Sequence, residues 1–181
     1  METIVNKSTG DQIRILQSSI NDPEGLFELE TTLSPKTYWP KTPHFHPKAL
    51  ETFTVLQGVL NMHHNGGEFT LKPDDGTVIV KPNDIHCFWN DSNNKVTFRS
   101  KITPVGNIEK GIRATYLLGS AGKMNKNNLP KNIFELAFLG QLVDSYVTNV
   151  PVFVQKAFLA IIASIGDLLG YRKEFRRITG F

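Results

Sequence analysis

The segment from Pro43 to Glu51 carries two histidines and a carboxylate at a spacing suited to metal binding. His44 and His46 are two residues apart, so their side chains point to the same face of an extended strand. A turn after His46 would return the chain and bring the Glu51 carboxylate to the same point. Two imidazoles and a carboxylate are a typical ligand set for a borderline divalent metal, and they leave positions open for water, substrate or dioxygen.

A second segment downstream offers a fourth ligand. His86, Phe88 and Asn90 alternate along a predicted strand and therefore share one face. If that face points inward, His86 completes a four-ligand site with the first three side chains. Two other interpretations stay open: the first three are solvated loop residues, or His86 is a hydrogen-bonded wall residue that binds no metal.

Three further residues have side chains capable of chemistry. His63 and His64 lie beside the turn Asn65-Gly66-Gly67, and one of them must face inward by strand alternation. We expect them to be solvated, with a metal or catalytic role as the alternative. Cys87 lies on the face opposite His86 in a regular strand, and we expect a small buried apolar residue rather than a reactive thiol.

This arrangement resembles the cupin superfamily. The first cupin motif reads G-x5-H-x-H-x3-4-E-x6-G, and this chain has His44-x-His46-x4-Glu51-x6-Gly58. The second reads G-x5-P-x-G-x2-H-x3-N, and this chain has Gly76-x5-Pro82 followed by His86-x3-Asn90. The resemblance covers residues 25–104 and is to small single-domain cupins of bacterial type. It implies a jelly-roll barrel that holds one divalent metal ion through His44, His46, Glu51 and His86.

The chain departs from these motifs at two turns. The first motif lacks its leading glycine. The second is one residue shorter between Pro82 and His86 and has no glycine there. Asn83 or Asp84 must then supply the left-handed turn, which Asn and Asp tolerate best after glycine. The position of His86 therefore depends on this turn.

The elements that must position these residues are short strands. Residues 12–103 form runs of alternating side chains separated by turns rich in Gly, Pro, Asn and Asp, which indicates a sandwich, jelly roll or barrel. Residues 120–131 are polar and predict a linker. Asn132 is a predicted helix cap, and Pro151 is the predicted start of a second helix that stops at Gly170.

The predicted fold class is accordingly all-β, a cupin jelly-roll barrel with two C-terminal α-helices. The barrel domain is expected in residues 1–119. The linker and the helical extension are expected in residues 120–181, packed on the barrel or on a dimer partner.

The same alternation predicts the wall of a substrate cavity. Side chains that share a face with the predicted ligands should line a largely apolar space. These are Phe53, Val55, Phe88 and Asn90. A purely structural role for the apolar ones stays equally open, because barrel interiors are filled by such side chains. Tyr38 and Trp39 precede the first motif and are candidates for the rim of the mouth.

The composition of the chain indicates which cellular compartment and which binding partners to expect. The chain has 181 residues, a net charge of +3 and one cysteine. A disulfide within the chain is impossible, and the N-terminus does not resemble a signal peptide, so we expect a cytoplasmic protein. The chain has no interleaved basic and aromatic pattern, and we expect no nucleic-acid partner.

The second predicted helix is apolar from Ala157 to Ile165 apart from Ser164, and a basic cluster follows it. The run is shorter than a membrane-spanning helix requires. Adsorption to a membrane surface is one interpretation. We favour packing or homodimer formation and do not expect membrane association.

The sequence supports three hypotheses about function. The first is a mononuclear metalloenzyme that uses Fe, Mn, Ni or Zn on a small organic substrate. The resemblance allows dioxygenase and isomerase activities, and Glu51 is the predicted catalytic residue, with His63 or His64 as another candidate base. The second is a non-catalytic sensor or storage module that binds a small ligand. The third and weakest is a membrane-associated partner protein working through its tail.

Overall fold

The computed structural model describes residues 1–125 and 127–181, except for the side chains of residues 38–41. This part of the chain forms ten strands and four helices. The strands are β1 Glu2–Val5, β2 Gln12–Gln17, β3 Phe27–Leu33, β4 Thr37–His44, β5 Leu50–Gln57, β6 Leu60–His64, β7 Gly67–Leu71, β8 Thr77–Val80, β9 His86–Asn90 and β10 Val96–Thr103. The helices are α1 Ile108–Ser120, α2 Ile133–Val143, α3 Val152–Leu168 and α4 Tyr171–Thr179.

The strands form two antiparallel sheets that pack face to face. The six-stranded sheet has the order β1-β2-β3-β10-β5-β8, and the four-stranded sheet has the order β4-β9-β6-β7. Within the described residues no strand pairing joins the two sheets, so the predicted barrel is not closed by a continuous ladder.

Strand alternation decides which side chains enter the space between the sheets. Along β5, Glu51, Phe53 and Val55 are buried while the residues between them are partly exposed. Gly58 then turns the chain at φ +85°, where a Cβ atom would lie 2.6 Å from the carbonyl oxygen of Lys95. Only glycine fits this turn, as the sequence predicts.

Helix α1 was not predicted from the sequence, and its glycines explain why. Glycine lowers helix propensity, so the segment appears irregular when judged by its residues alone. In the structure these glycines allow close packing. A Cβ at Gly111 would lie 2.5 Å from Val143 Cγ1, and one at Gly119 would lie 2.4 Å from the Asn6 side chain. Tertiary contacts with α2 and with the segment after β1 therefore stabilise the helix.

The two predicted C-terminal helices are present as α2 and α3. Asn132 caps α2, accepting a hydrogen bond from the backbone N–H of Phe134 at 2.8 Å. Pro151 precedes the first residue of α3, and Gly170 follows its end at φ +82°. Lys126, in the predicted linker, lies outside the described residues.

The predicted all-β class with two helices is wrong, because α1 and α4 bring the number of helices in the described chain to four. The basic tail folds as α4, whose Phe175 is buried against Phe138 at a ring-centroid distance of 5.4 Å. The helices share an apolar core of their own. Because α1 begins at Ile108, the helical region starts before the expected boundary; the division into 1–119 and 120–181 remains a prediction.

Helix α3 buries one side and exposes the other. Ala163 and Gly166 pack inward, whereas Phe153, Ile161 and Leu168 are 74%, 60% and 88% exposed. In the described residues no single helix has the length and apolarity needed to cross a bilayer; α3 and α4 meet that criterion only as a pair bent by 99°.

Candidate metal centre

Three histidines converge between the two sheets. His44 ends β4, His86 begins β9, and the two are direct partners in the strand pairing. His46 follows two residues after His44. The ring centroids are 5.3 Å apart for His44 and His46, 4.5 Å for His44 and His86, and 5.6 Å for His46 and His86. One nitrogen from each ring lies within 4.8 Å of the others, so the group could hold a metal ion.

The backbone orients all three rings in the same way. The Nδ1 atoms of His44, His46 and His86 lie 3.0, 3.0 and 3.1 Å from the carbonyl oxygens of Thr42, Asp144 and Asp84. A carbonyl oxygen can only accept, so each Nδ1 is the donor and each neutral ring presents an unprotonated Nε2. Hydrogen bonds of this type fix the tautomer and ring orientation of metal-binding histidines.

Glu51 faces the cluster from the six-stranded sheet. Its two carboxylate oxygens lie 3.5 Å from His46 Nε2 and 3.2 Å from His86 Nε2. The group whose ligand atoms all lie within 4.8 Å of one another consists of the three histidines. Glu51 therefore stands beside two of the ring nitrogens, where it can act as a fourth ligand or as an acid or base.

The electrostatics of the cluster favour the ligand form of His44 and Glu51 and oppose it at His86. Burial, together with His86 and His46, lowers the pKa of His44 to about 3. Burial raises the pKa of Glu51, but the neighbouring histidines outweigh it and lower the pKa to about 2. Burial lowers the pKa of His86, but the adjacent Glu51 carboxylate more than compensates and raises it.

One further observation, at His86, shows that these side chains are suited to hold a metal ion. His86 Nε2 is fully buried and, within the described residues, its contact with Glu51 lacks hydrogen-bond geometry. A buried nitrogen lone pair without a donor is costly, and a cation at this point would satisfy it. Imidazole with carboxylate suits a borderline transition metal.

The turn that replaces the missing glycine of the second motif is made by Asn83, as the sequence allowed. Asn83 has φ +70°, in the left-handed region. Its backbone N–H donates to the carbonyl oxygen of His46 at 2.9 Å. The shortened loop thus connects the segment before His86 directly to the first motif.

The cluster lines part of a cavity of about 450 Å³. Phe53 and Phe88 also line it, as predicted. Residues of β2, β3 and β10 line it as well, and residues of α1, α2 and α3 cover the space between the sheets. The helices and the loops beside them, which are distant in sequence from the histidines, contribute more than half of the lining residues.

Two predicted cavity residues, Val55 and Asn90, do not line the cavity. Val55 shares the inward face of β5 and belongs to the same apolar core as Phe53, but it is not among the residues that line the cavity. Asn90 is fully buried, and its amide nitrogen donates to the carbonyl oxygens of Ser34 and Asn94 at 2.9 and 2.8 Å. Its side chain is used to close turns, which is a structural role.

The remaining candidates lie outside the cluster. His64 Nε2 is 3.0 Å from an Asp84 carboxylate oxygen, and His63 Nε2 accepts from the backbone N–H of Gly66 at 3.4 Å. Cys87 is buried, as predicted, and pairs with His63 in the strand register. The expected role of Tyr38 and Trp39 at the mouth lies outside the described side chains.

Sequence reasoning missed Asp144, whose backbone oxygen accepts from His46, 98 residues away. Asp144 has a left-handed conformation at the end of α2. No local pattern marks it, because a backbone carbonyl serves whatever the side chain. Only the packing of the helices on the sheets reveals it.

Comparison with known proteins assigns a family. The cupin domain model matches residues 29–100. A protein of Hypocrea virens named "Probable oxidoreductase virH" is 29% identical over 143 residues, covering 73% of this chain and 64% of that protein. An Arthrobotrys oligospora protein named an oxidoreductase is 40% identical over 148 residues, covering 75% and 58%. The chain thus spans less than two thirds of the length of either relative.

Two solved structures are similar to part of this chain. The cupin domain of an XRE family transcriptional regulator from Enterobacter cloacae is 26% identical, with a TM-score of 0.44, covering 51% of this chain and 95% of that chain. A sugar phosphate isomerase of the cupin superfamily from Silicibacter pomeroyi is 19% identical, with a TM-score of 0.48, covering 57% and 71%.

The antiparallel sheets, the histidine cluster and the match to residues 29–100 together define a cupin domain. The chain belongs to the cupin superfamily.

Proposed function

We propose that this chain is a metal-dependent enzyme, of oxidoreductase type, that acts on a small organic substrate. A single divalent ion (Fe, Mn, Ni or Zn) would be held by His44, His46 and His86, with Glu51 as a fourth ligand or as the acid-base group. The domain would have the jelly-roll topology of cupins. The convergence of three Nε2 atoms, each set by a backbone acceptor, is the observation that carries the proposal.

When bound, such an ion supplies Lewis acidity toward a carbonyl or enolate oxygen and, if redox-active, electron transfer. The chain's own residues do the rest. The backbone carbonyl oxygens of Thr42, Asp144 and Asp84 fix the direction of the three imidazoles. The Glu51 carboxylate is the proposed proton acceptor, because it is the single carboxylate among the cavity-lining residues that the structure describes. The apolar helices above the cavity exclude water from the reacting end.

The oxidoreductase class is supported by the names of the two relatives, which share 29% and 40% identity with the chain. Those names do not specify a substrate. Dioxygenase chemistry stays within this class, whereas an isomerase would lie outside it.

The test is metal content in matched variants. We expect His44→Ala combined with His46→Ala to abolish bound metal while the sheets remain folded, because neither ring belongs to the apolar core. His63→Ala is the control, since it removes a histidine outside the cluster. Full metal content in the double variant, or equal loss in the control, would contradict the site.

A second candidate is a non-catalytic binding module for a small ligand. It is favoured by one observation. Besides the four proposed ligands, the ionisable groups among the described lining residues are Tyr116 and Tyr146, and burial raises the pKa of both hydroxyls. If Glu51 ligates the metal, the described lining offers no carboxylate or imidazole outside the ligand set to act as base. Metal binding without turnover of any candidate substrate would favour this alternative.

A further inference from the structure

The residues that line the cavity are of two chemical kinds. The three histidines and Glu51 form a polar group. The helices supply an apolar group that includes Ile112 of α1, Leu136 and Leu139 of α2 and Leu159 of α3, and we call the part lined by these residues the helical end. The volume of the whole cavity, about 450 Å³, lies in the range of sites that enclose a drug-sized molecule.

Among the described residues that line the cavity there is no lysine and no arginine. A phosphate or a free carboxylate buried against these residues at the helical end would have no charged partner, and an unpaired buried charge is strongly unfavourable. Threonine, serine, tyrosine, asparagine and glutamine supply the remaining polar groups of this lining.

We propose that the substrate is an uncharged, largely apolar molecule of fused-ring or hydrocarbon-chain type that carries an oxygen function at one end. This rests on the proposed function and names its substrate class. The oxygen-bearing end, a hydroxyl, enol or carbonyl, faces the histidines. The apolar body lies beneath α1, α2 and α3. A sugar nucleotide or another molecule that places its charge at the helical end does not fit this lining.

The most exposed lining residues show where such a molecule enters. Thr42, Val147 and Phe158 are exposed and line the cavity, which places the mouth at the α2–α3 loop and the adjoining turn of α3. Phe158 is 56% exposed, so an apolar surface continues from the mouth into the interior. An apolar substrate can enter along this surface.

The experiment compares two probes that share one ring system, 2-naphthol and 2-naphthyl phosphate, by calorimetry on the intact chain. Binding is measured with metal removed by chelation and again after metal loading. We expect 2-naphthol to bind both forms, and 2-naphthyl phosphate to bind the metal-free form about tenfold more weakly or worse. Equal or tighter binding of the phosphate to the metal-free form would overturn the proposal.

Matched variants locate the probe. Leu136→Trp fills the helical end and should weaken 2-naphthol binding about tenfold, whereas Ile133→Trp, an exposed site on the same helix, should not. Leu136→Phe, a smaller change, should weaken binding less and keeps the test valid if the tryptophan variant unfolds. Equal binding by folded Leu136 and Ile133 variants would overturn the proposal.

The metal content of each protein separates this inference from the proposed function. Binding of 2-naphthol to a chain that never retains metal would contradict the metalloenzyme proposal and support the substrate class. Metal retention without selective 2-naphthol binding would support the metal site and contradict the substrate class.

Discussion

The Nδ1 atom of His46 lies 3.0 Å from the backbone oxygen of Asp144, which joins a candidate metal ligand to the loop between α2 and α3. The same loop pairs with the strand segment itself: Phe45 and Tyr146 exchange two backbone hydrogen bonds of 3.0 Å. The helical extension therefore contributes directly to the geometry of the site.

Releasing this loop should weaken metal binding without removing a ligand. Gln155 fixes the loop to α3, donating to the carbonyl oxygens of Val147 and Val150 at 2.9 and 2.6 Å. We predict that Gln155→Leu lowers metal affinity by about tenfold, the lower end of the effect of losing outer hydrogen bonds around a metal. Competition with a chelator of known affinity measures it. Gln141→Leu, on the exposed side of α2, is the control; equal affinities in the two variants would show that the loop does not position His46.

Asn90 should matter for stability and not for the site. Its amide closes turns between strands and is fully buried. We predict that Asn90→Ala lowers the free energy of unfolding by about 1–3 kcal/mol, because buried carbonyl groups lose their donor. Urea denaturation measures this, with exposed Asn93→Ala as the control. Unchanged stability together with weakened 2-naphthol binding would restore Asn90 to the cavity.

Glu30 should make stability depend on pH. It is buried between Arg14 and Arg99, and the hydrogen bonds from these two guanidinium groups lower its pKa, more than offsetting burial. A carboxyl whose folded pKa is depressed stabilises the protein above its unfolded pKa of about 4.3, and this stability is lost as pH falls through the folded pKa.

We therefore predict that Glu30→Gln is about 1 kcal/mol less stable than the parent at pH 7, a modest value because both arginines are half-exposed. The difference should narrow as pH falls below about 4. Thermal unfolding across pH measures it, and exposed Glu68→Gln is the control. A difference independent of pH would mean that the carboxylate charge is not the stabilising feature.

The expected homodimer remains a prediction, and α3 is where we place it. Its exposed apolar residues beyond the cavity mouth follow a four-three spacing typical of paired helices: Ile161, Ile165 and Leu168. We predict that Ile161→Glu weakens self-association measured by light scattering, whereas Ile79→Glu, an exposed apolar site on β8, does not. A wild-type chain that is monomeric at high concentration would refute the dimer.

The parts predictable from sequence were those with local causes. Alternation alone identified the inward face of β5, so Glu51 and Phe53 were correctly placed in the interior. The capping of α2 by Asn132 and the turn at Asn83 follow from the conformational preferences of asparagine. Each depends on a residue and its nearest neighbours.

What escaped prediction depends on packing between distant segments. Helix α1 carries glycines that look unfavourable until Val143 and Asn6 are seen against them. The helices line the cavity, and the Asp144 carbonyl oxygen accepts from His46, only because the helical extension folds over the sheets. Alternation along β5 gives the inward face that Val55 shares with Phe53, but it does not say which residues of that face line the cavity.

The most direct test of the three-histidine metal site is anomalous diffraction from a crystal grown with a divalent transition metal. We expect one strong peak within coordination distance, about 2.0–2.1 Å, of the Nε2 atoms of His44, His46 and His86. A peak elsewhere, or full occupancy at a position out of reach of these three atoms, would contradict it.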